Sequence, residues 1–380
     1  MDLSIQQINS LADIDSQAWN RLAGRNNPFL CHEFLQSLEE FDCLSDHGWY
    51  PAHITAWSGG ELKGAVPLYF RTNSTGEFVF DWEWADAYER AGGHYYPKLV
   101  SAIPFTPVCG SRLLVDPDCE DKQFIKDTLI RSCIDLAEES RISGLHILFP
   151  DEGDIECLAD NGLMLRLGYQ YHWFNDDYKD FEDFLAQLSS RRRKQIRKER
   201  REVAQSGVKI QVLEGSNITP EDWQWFHDFY CSTFYRKWGE PRLTLPFFRS
   251  LSHTMPDSTV LLLARYHGKP VAGAFAMRGD GSLFGRHWGC SHYFPNLHFE
   301  LCYYQTIEYC IRYGLKRLDA GIQGEHKITR GFRPVLTRSA HWLAHPEFRS
   351  AVEDFLGRER QYIEAYIRQL SEHSAYRKAS

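Results

Sequence analysis

NPFLCHEFLQSLEEF at residues 27–41 lines up with EPRLTLPFFRSLSHT at residues 240–254. At one constant offset, Pro28, Leu30, Phe34, Ser37 and Leu38 meet Pro241, Leu243, Phe247, Ser250 and Leu251. In the first stretch Phe34, Leu35, Leu38 and Phe41 fall at helical spacing behind an Asn-Pro start, which predicts a helix. Each stretch is followed by a hairpin pattern, AHITAWSGGELKGAVPLYF at 52–70 and VLLLARYHGKPVAGAFAMR at 260–278. Each half then carries a further strand region, a long amphipathic helix and a short apolar strand, LHILF at 145–149 and LKRLDAG at 315–321. Local identity together with shared element order implies two copies of one α/β unit. The expected division is 1–168 and 169–380, the second part including a basic helix at 189–206 and a C-terminal helix at 347–370, with Phe348, Val352, Phe355, Tyr362, Tyr366 and Leu370 as its packing stripe and residues 371–380 as a frayed tail.

Length agrees with two domains, since 380 residues exceed one ordinary core. A hydrophobic content of 43% with 14% aromatics supports packed cores and argues against disorder. No apolar run approaches a membrane span, and MDLSIQQINS lacks the basic start and apolar block of a secretory signal. Ten cysteines without a CxxC pair suit reduced thiols better than a disulfide framework. A cytoplasmic globular protein is expected.

The net charge of −8 is unevenly spread. RRRKQIRKERR at 191–201 holds eight Lys/Arg and one Glu. Ser189 or Ser190 would cap a helix through this block, with Ile196 and Val203, seven apart, as its packing edge. Such a run is either a solvated face or a place where phosphates are held, with Arg193, Lys194 and Arg197 as the candidates.

Within the first half, FVFDWEWADAYERAGGHYYPKLVSAIPFTPVCGSR at 78–112 is rich in aromatics, Pro and Gly and has no clean period. It reads as loops over a cleft or an interface. The helix starting near His298 places Phe299, Cys302, Tyr303, Thr306, Ile307, Cys310 and Ile311 on a core face, with Glu300, Tyr304 and Glu308 on another. His298 and Glu300 sit in its first turn, where the helix dipole and free N–H groups act. The following strand ends at Gly321, and Gly324-Glu325-His326-Lys327 leaves the sheet as a loop. Charged groups at a strand end are where α/β folds place their sites. A zinc set of His287, Cys290, His292 and His298 matches no finger spacing.

Several blocks carry a family resemblance: LSSRRRKQIRKERREVAQSGVKIQVLEG, FDWEWADAYERAGGHYYPKL, IPFTPVCGSRLL, GRHWG, LHFELCYYQ and AGIQGEHKITRGFRP. Together they resemble the FemAB-like group of predicted bacterial N-acyltransferases within the GNAT acyltransferase superfamily. The resemblance implies two tandem GNAT-like units, each a mixed, mostly antiparallel sheet flanked by helices. It implies transfer of an acyl or aminoacyl group from acyl-CoA or aminoacyl-tRNA to an amine of a small molecule or peptide, with no tightly bound cofactor and no metal. It allows tRNA as a partner of residues 191–201. The family blocks fall on Trp82, Tyr88, Glu89, Arg90, Tyr95 and Tyr96 in the first half, and on Arg286, His298, Glu300, Glu325, His326, Lys327 and Arg330 in the second. The first-half set would bind substrate and cover the cleft of the second. One departure leaves the donor open: no Q/R-x-x-G-x-G/A stretch, of the kind that cradles the CoA pyrophosphate, is present.

The chemistry suits those residues. An amine of pKa near 10 is only about 0.1% neutral at pH 7, so a Glu or His base helps. The tetrahedral intermediate needs donors, which a strand-edge N–H, Lys327 or Arg286 would supply. Holding two substrates together contributes roughly 7–11 kcal/mol, so no Ser or Cys nucleophile is required. The alternative is a non-catalytic binding module for an acylated, cell-wall-related or RNA ligand.

Overall fold

The computed structural model describes residues 2–236, 239–322 and 324–377. Its first part runs β1 (Ser4–Ile8), α1 (Ser16–Ala23), α2 (His32–Glu40), β2 (Trp49–Pro51), β3 (His53–Ser58), β4 (Glu61–Val66), β5 (Leu68–Arg71), α3 (Trp82–Arg90), β6 (Lys98–Ser101), β7 (Leu114–Val115), α4 (Lys122–Glu139), β8 (Gly144–Leu148), α5 (Glu152–Asp160) and β9 (Met164–Phe174). The second part runs α6 (Phe181–Gln187), α7 (Ser190–Gln205), β10 (Val208–Glu214), α8 (Pro220–Tyr235), α9 (Leu245–Thr254), β11 (Thr259–Tyr266), β12 (Lys269–Arg278), β13 (Ser282–Cys290), α10 (Leu297–Phe299), α11 (Gln305–Arg312), β14 (Arg317–Asp319), β15 (Arg333–Leu343) and α12 (Pro346–Glu372).

Two compact units result, one of residues 1–169 and 336–365, the other of residues 170–335 and 366–380. This differs from a simple cut at 168/169. The chain returns to the first unit because β15 hydrogen-bonds to β8, from Ser339↔Leu148 to Leu343↔Gly144, and Val352 and Leu356 of α12 join Trp84, Tyr95 and Met164 in one apolar cluster.

The first unit pairs β2, β5, β6, β8 and β15 in that order, parallel only at β6–β8, beside a four-stranded sheet ordered β1-β3-β4-β7. β8 is buried along its whole length, as the apolar run LHIL requires of a strand covered on both faces. In the second unit β10-β11-β12-β13-β14-β9 are neighbours, parallel only at β13–β14. Both units are therefore mixed, mostly antiparallel sheets flanked by helices.

Helix starts follow local chemistry. α8 opens with Thr219-Pro220-Glu221-Asp222, in which Thr219 and Asp222 form a reciprocal capping box and Pro220 occupies a position needing no N–H. α9 is capped by the Thr244 side chain. α7 begins at the expected serine pair, but Ser189 gives no side-chain capping bond.

Glycines on the hairpin strands let a helix approach. An added Cβ at Gly64 would lie 2.7 Å from Ile125 of α4, and one at Gly289 would lie 2.1 Å from the Phe229 carbonyl oxygen of α8. The second contact is to backbone, so no rotamer change relieves it. Gly289→Ala is expected to cost roughly 1–3 kcal/mol by prising α8 from β13; a lowered urea midpoint with unchanged m would show it.

Two stretches differ from expectation. Residues 78–112 hold α3 and β6 rather than loops alone; α3 buries only Trp84 and Ala85 and β6 is four residues buried throughout, so both are too short to show a period. The tail expected to fray from 371 is held as far as Tyr376, which bridges Leu188 and donates its hydroxyl to the Gly331 carbonyl at 2.9 Å; residues 378–380 lie outside the described residues. Tyr362, expected on the packing stripe of α12, is 67% exposed.

Candidate active site

In the second unit, the segment after β13 does not form one regular helix. Between α10 and α11 lies a π-helical turn, Glu300–Tyr304. The widened turn inserts a residue into the 3.6 repeat, so Glu300, Leu301 and Tyr304 become buried along with Tyr303. Consecutive tyrosines thereby serve two groups. The Tyr303 hydroxyl meets His326 Nε2 at 2.9 Å, and the Tyr304 hydroxyl donates to Glu199 of α7.

Past β14 the chain reverses through Gly321 (φ 75°) and Gly324 (φ 100°) into a 3-10 turn, Glu325–Arg330, closed by Gly331 (φ 91°). These left-handed angles are glycine conformations. At Gly324 a Cβ would also fall 2.4 Å from the His326 ring. Glycine there is what lets His326 lie toward Tyr303.

Lys327 is 4% exposed. Its ammonium donates to the Ala320 and Gly321 carbonyls at 2.6 and 3.1 Å, leaving a third N–H without a partner among the described residues. Burial lowers its pKa to about 8, although Asp319 and Cys302 work in the other direction. Asp319 is itself buried; burial opposes its ionisation, but His172, 3.3 Å away, and the Gly321 N–H, 2.9 Å away, outweigh that and lower its pKa.

His298 lies 5.4 Å from the Tyr303 ring and 6.4 Å from that of His326, centroid to centroid. Burial, then the charges of His326, Lys327 and Arg330, lower its pKa to about 4. His326 is lowered too, by burial first and then by Arg330 and Lys327. Both imidazoles are therefore neutral near pH 7, beside a Tyr303 hydroxyl whose pKa burial raises.

Of the sequence candidates, His298, His326 and Lys327 come together. Glu325 stands exposed at the start of the turn and accepts a bond from Tyr366 at 2.5 Å. Glu300 is not open for proton transfer: Arg200 holds it at 3.0 Å and Gln305 donates to it at 2.8 Å, while the same Arg200 binds Glu308 at 2.8 Å. Arg330 is fully engaged by Glu199, the Tyr304 hydroxyl and the His326 carbonyl, and its guanidinium lies 3.5 Å over the Phe299 ring. Arg286 is half-buried, and desolvation of its guanidinium lowers its pKa to about 10, Asp319 being the largest opposing charge. His287 stacks in an aromatic core with Phe275, and no three metal-capable side chains converge among the described residues.

On α7, Lys194 is exposed, Arg193 donates to the Ala186 carbonyl at 3.3 Å and Arg197 pairs with the exposed Glu182. Arg197, Arg200 and Arg201 also line an open groove of about 490 Å³ with Phe181.

The remaining candidates belong to the first unit. Trp82 is 55% exposed beside Phe80, Glu89 is exposed, and Arg90 pairs with Asp86. Tyr88 packs on Phe348. Tyr95 is fully buried and donates to Asp81 at 2.8 Å, whereas Tyr96, half-buried, bonds Ser74 at 2.8 Å.

Sequence reading missed Tyr303 and Tyr304 as polar partners, Glu199 within its cationic run, and the Asp319–His172 pair. Only the Asp319 position, at a strand end before Gly321, carried a readable signal.

A family model for FemAB-like proteins, described as peptidoglycan biosynthesis/recognition, matches residues 10–378. The chain belongs to the FemAB-like family, and with it to the acyl- or aminoacyltransferase class that the sequence resemblance implied. Its fold is shared with FemX, at a TM-score of 0.55 and 12% identity over 92% of this chain and 100% of that one. It is also similar to the C-terminal domain of a putative lysylphosphatidylglycerol synthetase from Agrobacterium fabrum, at 0.55 and 12% over 91% and 97%. L-PGS from Bacillus licheniformis matches at 0.53 and 10% over 89% and 98%. No curated protein sequence matches. No helix among the described residues is long and apolar enough to cross a membrane.

Proposed function

We propose that the second unit, GNAT-like in kind, transfers an acyl or aminoacyl group directly from an activated donor to an amine. The observation that carries this is the Lys327 ammonium, fixed by two backbone carbonyls, in the same cluster as the neutral His326–Tyr303 pair. His326 takes a proton from the acceptor ammonium, and the free amine attacks the donor carbonyl carbon. The new C–N bond forms as the carbonyl π pair moves to oxygen, and the third Lys327 N–H donates to that oxyanion. Collapse expels the leaving group, a CoA thiolate or a tRNA ribose oxygen, with its electron pair. His326 passes its proton through Tyr303 to that leaving group and, neutral again, takes the second proton from the positively charged nitrogen of the adduct and releases it to solvent, leaving a neutral amide. Arg193, Lys194 and Arg197 are the proposed contacts for the donor's phosphates, and Arg286 and Arg330 support the cluster. Peptidoglycan-related amines are the acceptors that the family description favours.

The pH–rate profile tests these roles. His326 must be neutral, and its pKa lies below 6.5, so activity rises with pH through a value under 6.5. Lys327 must be charged, so activity falls as pH passes about 8. Asp319 and Cys302 hold that second value up, and Arg286, His298 and Arg330 are the other titratable groups around the cluster. A rate that instead climbs through pH 8–9 makes Lys327 the base and contradicts the assignment.

A further inference from the structure

We infer that Glu199 is a positioning residue, tying the basic helix to the turn that carries His326 and Lys327. It is the one carboxylate in a run of eight cations, yet it is only 8% exposed, sharing the buried edge of α7 with Ile196 and Val203. Its two oxygens have different partners. Oε1 accepts from Arg330 Nη2 at 2.8 Å and from Gln195 Nε2, one turn back on α7, at 2.9 Å, and Oε2 accepts from the Tyr304 hydroxyl. Arg330 Nε closes the triangle by donating to that same hydroxyl at 3.0 Å, while Nη1 donates to the His326 carbonyl at 2.9 Å. One carboxylate thus joins three elements: α7, the π turn next to Tyr303, and the 3-10 turn.

The alternative of a solvated surface charge is excluded by its burial. A bare core ion pair would need only one partner, whereas this arrangement fixes the backbone carbonyl of His326 itself. A glutamine at 199 has one acceptor oxygen for the three donors Arg330, Gln195 and Tyr304, and an alanine has none. Loosening the turn by about 1 Å would cost about 10²-fold in a step that depends on orientation. The claim rests on the proposed transfer for its kinetic consequence, but not for its geometric one.

Glu199→Ala and Glu199→Gln would therefore be tested by two readouts. The first is the pH dependence of Lys327 modification by acetic anhydride, followed by peptide mass spectrometry on the full chain. In the wild type the rate of Lys327 modification is expected to reach half its maximum near pH 8; Glu199→Ala is expected to move this upward by about one unit as the turn opens to water, and Glu199→Gln by less. The second is transfer rate, with kcat falling about 100-fold in Glu199→Ala and about tenfold in Glu199→Gln while KM stays within about twofold. Asp257→Asn, which removes an exposed carboxylate outside this network, leaves both unchanged. Should Glu199→Ala fail to fold, Glu199→Gln carries the test alone. A Glu199→Gln protein with the wild-type Lys327 profile and wild-type kcat overturns the inference. A moved Lys327 profile in a protein that transfers nothing supports the positioning role while removing the proposed function.

Discussion

Lys327→Met is expected to lower kcat for acyl transfer about 10²- to 10³-fold, the usual cost of removing one preorganised donor to an oxyanion. Methionine keeps most of the stem volume, so the fold should survive, although the ammonium's contact with the Tyr171 ring, 5.5 Å to its centroid, is lost. The lost groups are the bonds to the Ala320 and Gly321 carbonyls and the third N–H proposed as the oxyanion donor. Near-wild-type KM with collapsed kcat, at an unchanged melting temperature, is the expected pattern. An equal rise in KM with kcat intact would place Lys327 in ground-state binding instead.

Lys98→Met is expected to have the largest effect on stability. In the first unit Lys98 is fully buried, donating to Ser74 at 2.7 Å, Glu77 at 2.8 Å and Asp81 at 2.5 Å. Arg71 supplies the second cation, 3.1 Å from Glu77. Burial already raises the Glu77 pKa against the pull of Lys98, while Asp81, though buried, is held below its ordinary value by Lys98 and His146. Deleting the ammonium leaves two buried carboxylates facing one guanidinium, a loss of about 3–5 kcal/mol in urea denaturation of the full chain. Adding Asp81→Asn to Lys98→Met should recover part of it, because the uncompensated charge then disappears. A Lys98→Met protein as stable as wild type would mean that water reaches this cluster.

How much of this was legible from sequence varies with the range of the interaction. The two-unit architecture could be read because Pro28 to Leu38 and Pro241 to Leu251 keep one offset and the same element order follows each. α7 could be read because Ile196 and Val203 mark its packing edge. Glu199 on that same edge could not, since its partner Arg330 is 131 residues away and spacing carries no trace of the pair. The π turn hid in the same manner. A regular 3.6 repeat puts Tyr304 with Glu300 and Glu308 on a polar face, and only the inserted residue turns it inward. His326 and Lys327 became candidates from a general rule about strand ends, which nominates a place for a site but does not assign roles. Glu300 shows the limit of that rule: a carboxylate in a first helical turn looks available until its Arg200 partner is seen.

The mass of the acceptor tests the central claim most directly. Purified protein would be incubated with a panel of amines, including peptidoglycan-type peptides, and with acyl-CoA or aminoacyl-tRNA donors in separate arms. The predicted result is an acceptor heavier by one acyl or aminoacyl residue in one donor arm, attached at nitrogen, and lost with Lys327→Met. Acceptor mass unchanged with every donor, or formed equally well by Lys327→Met, would contradict it.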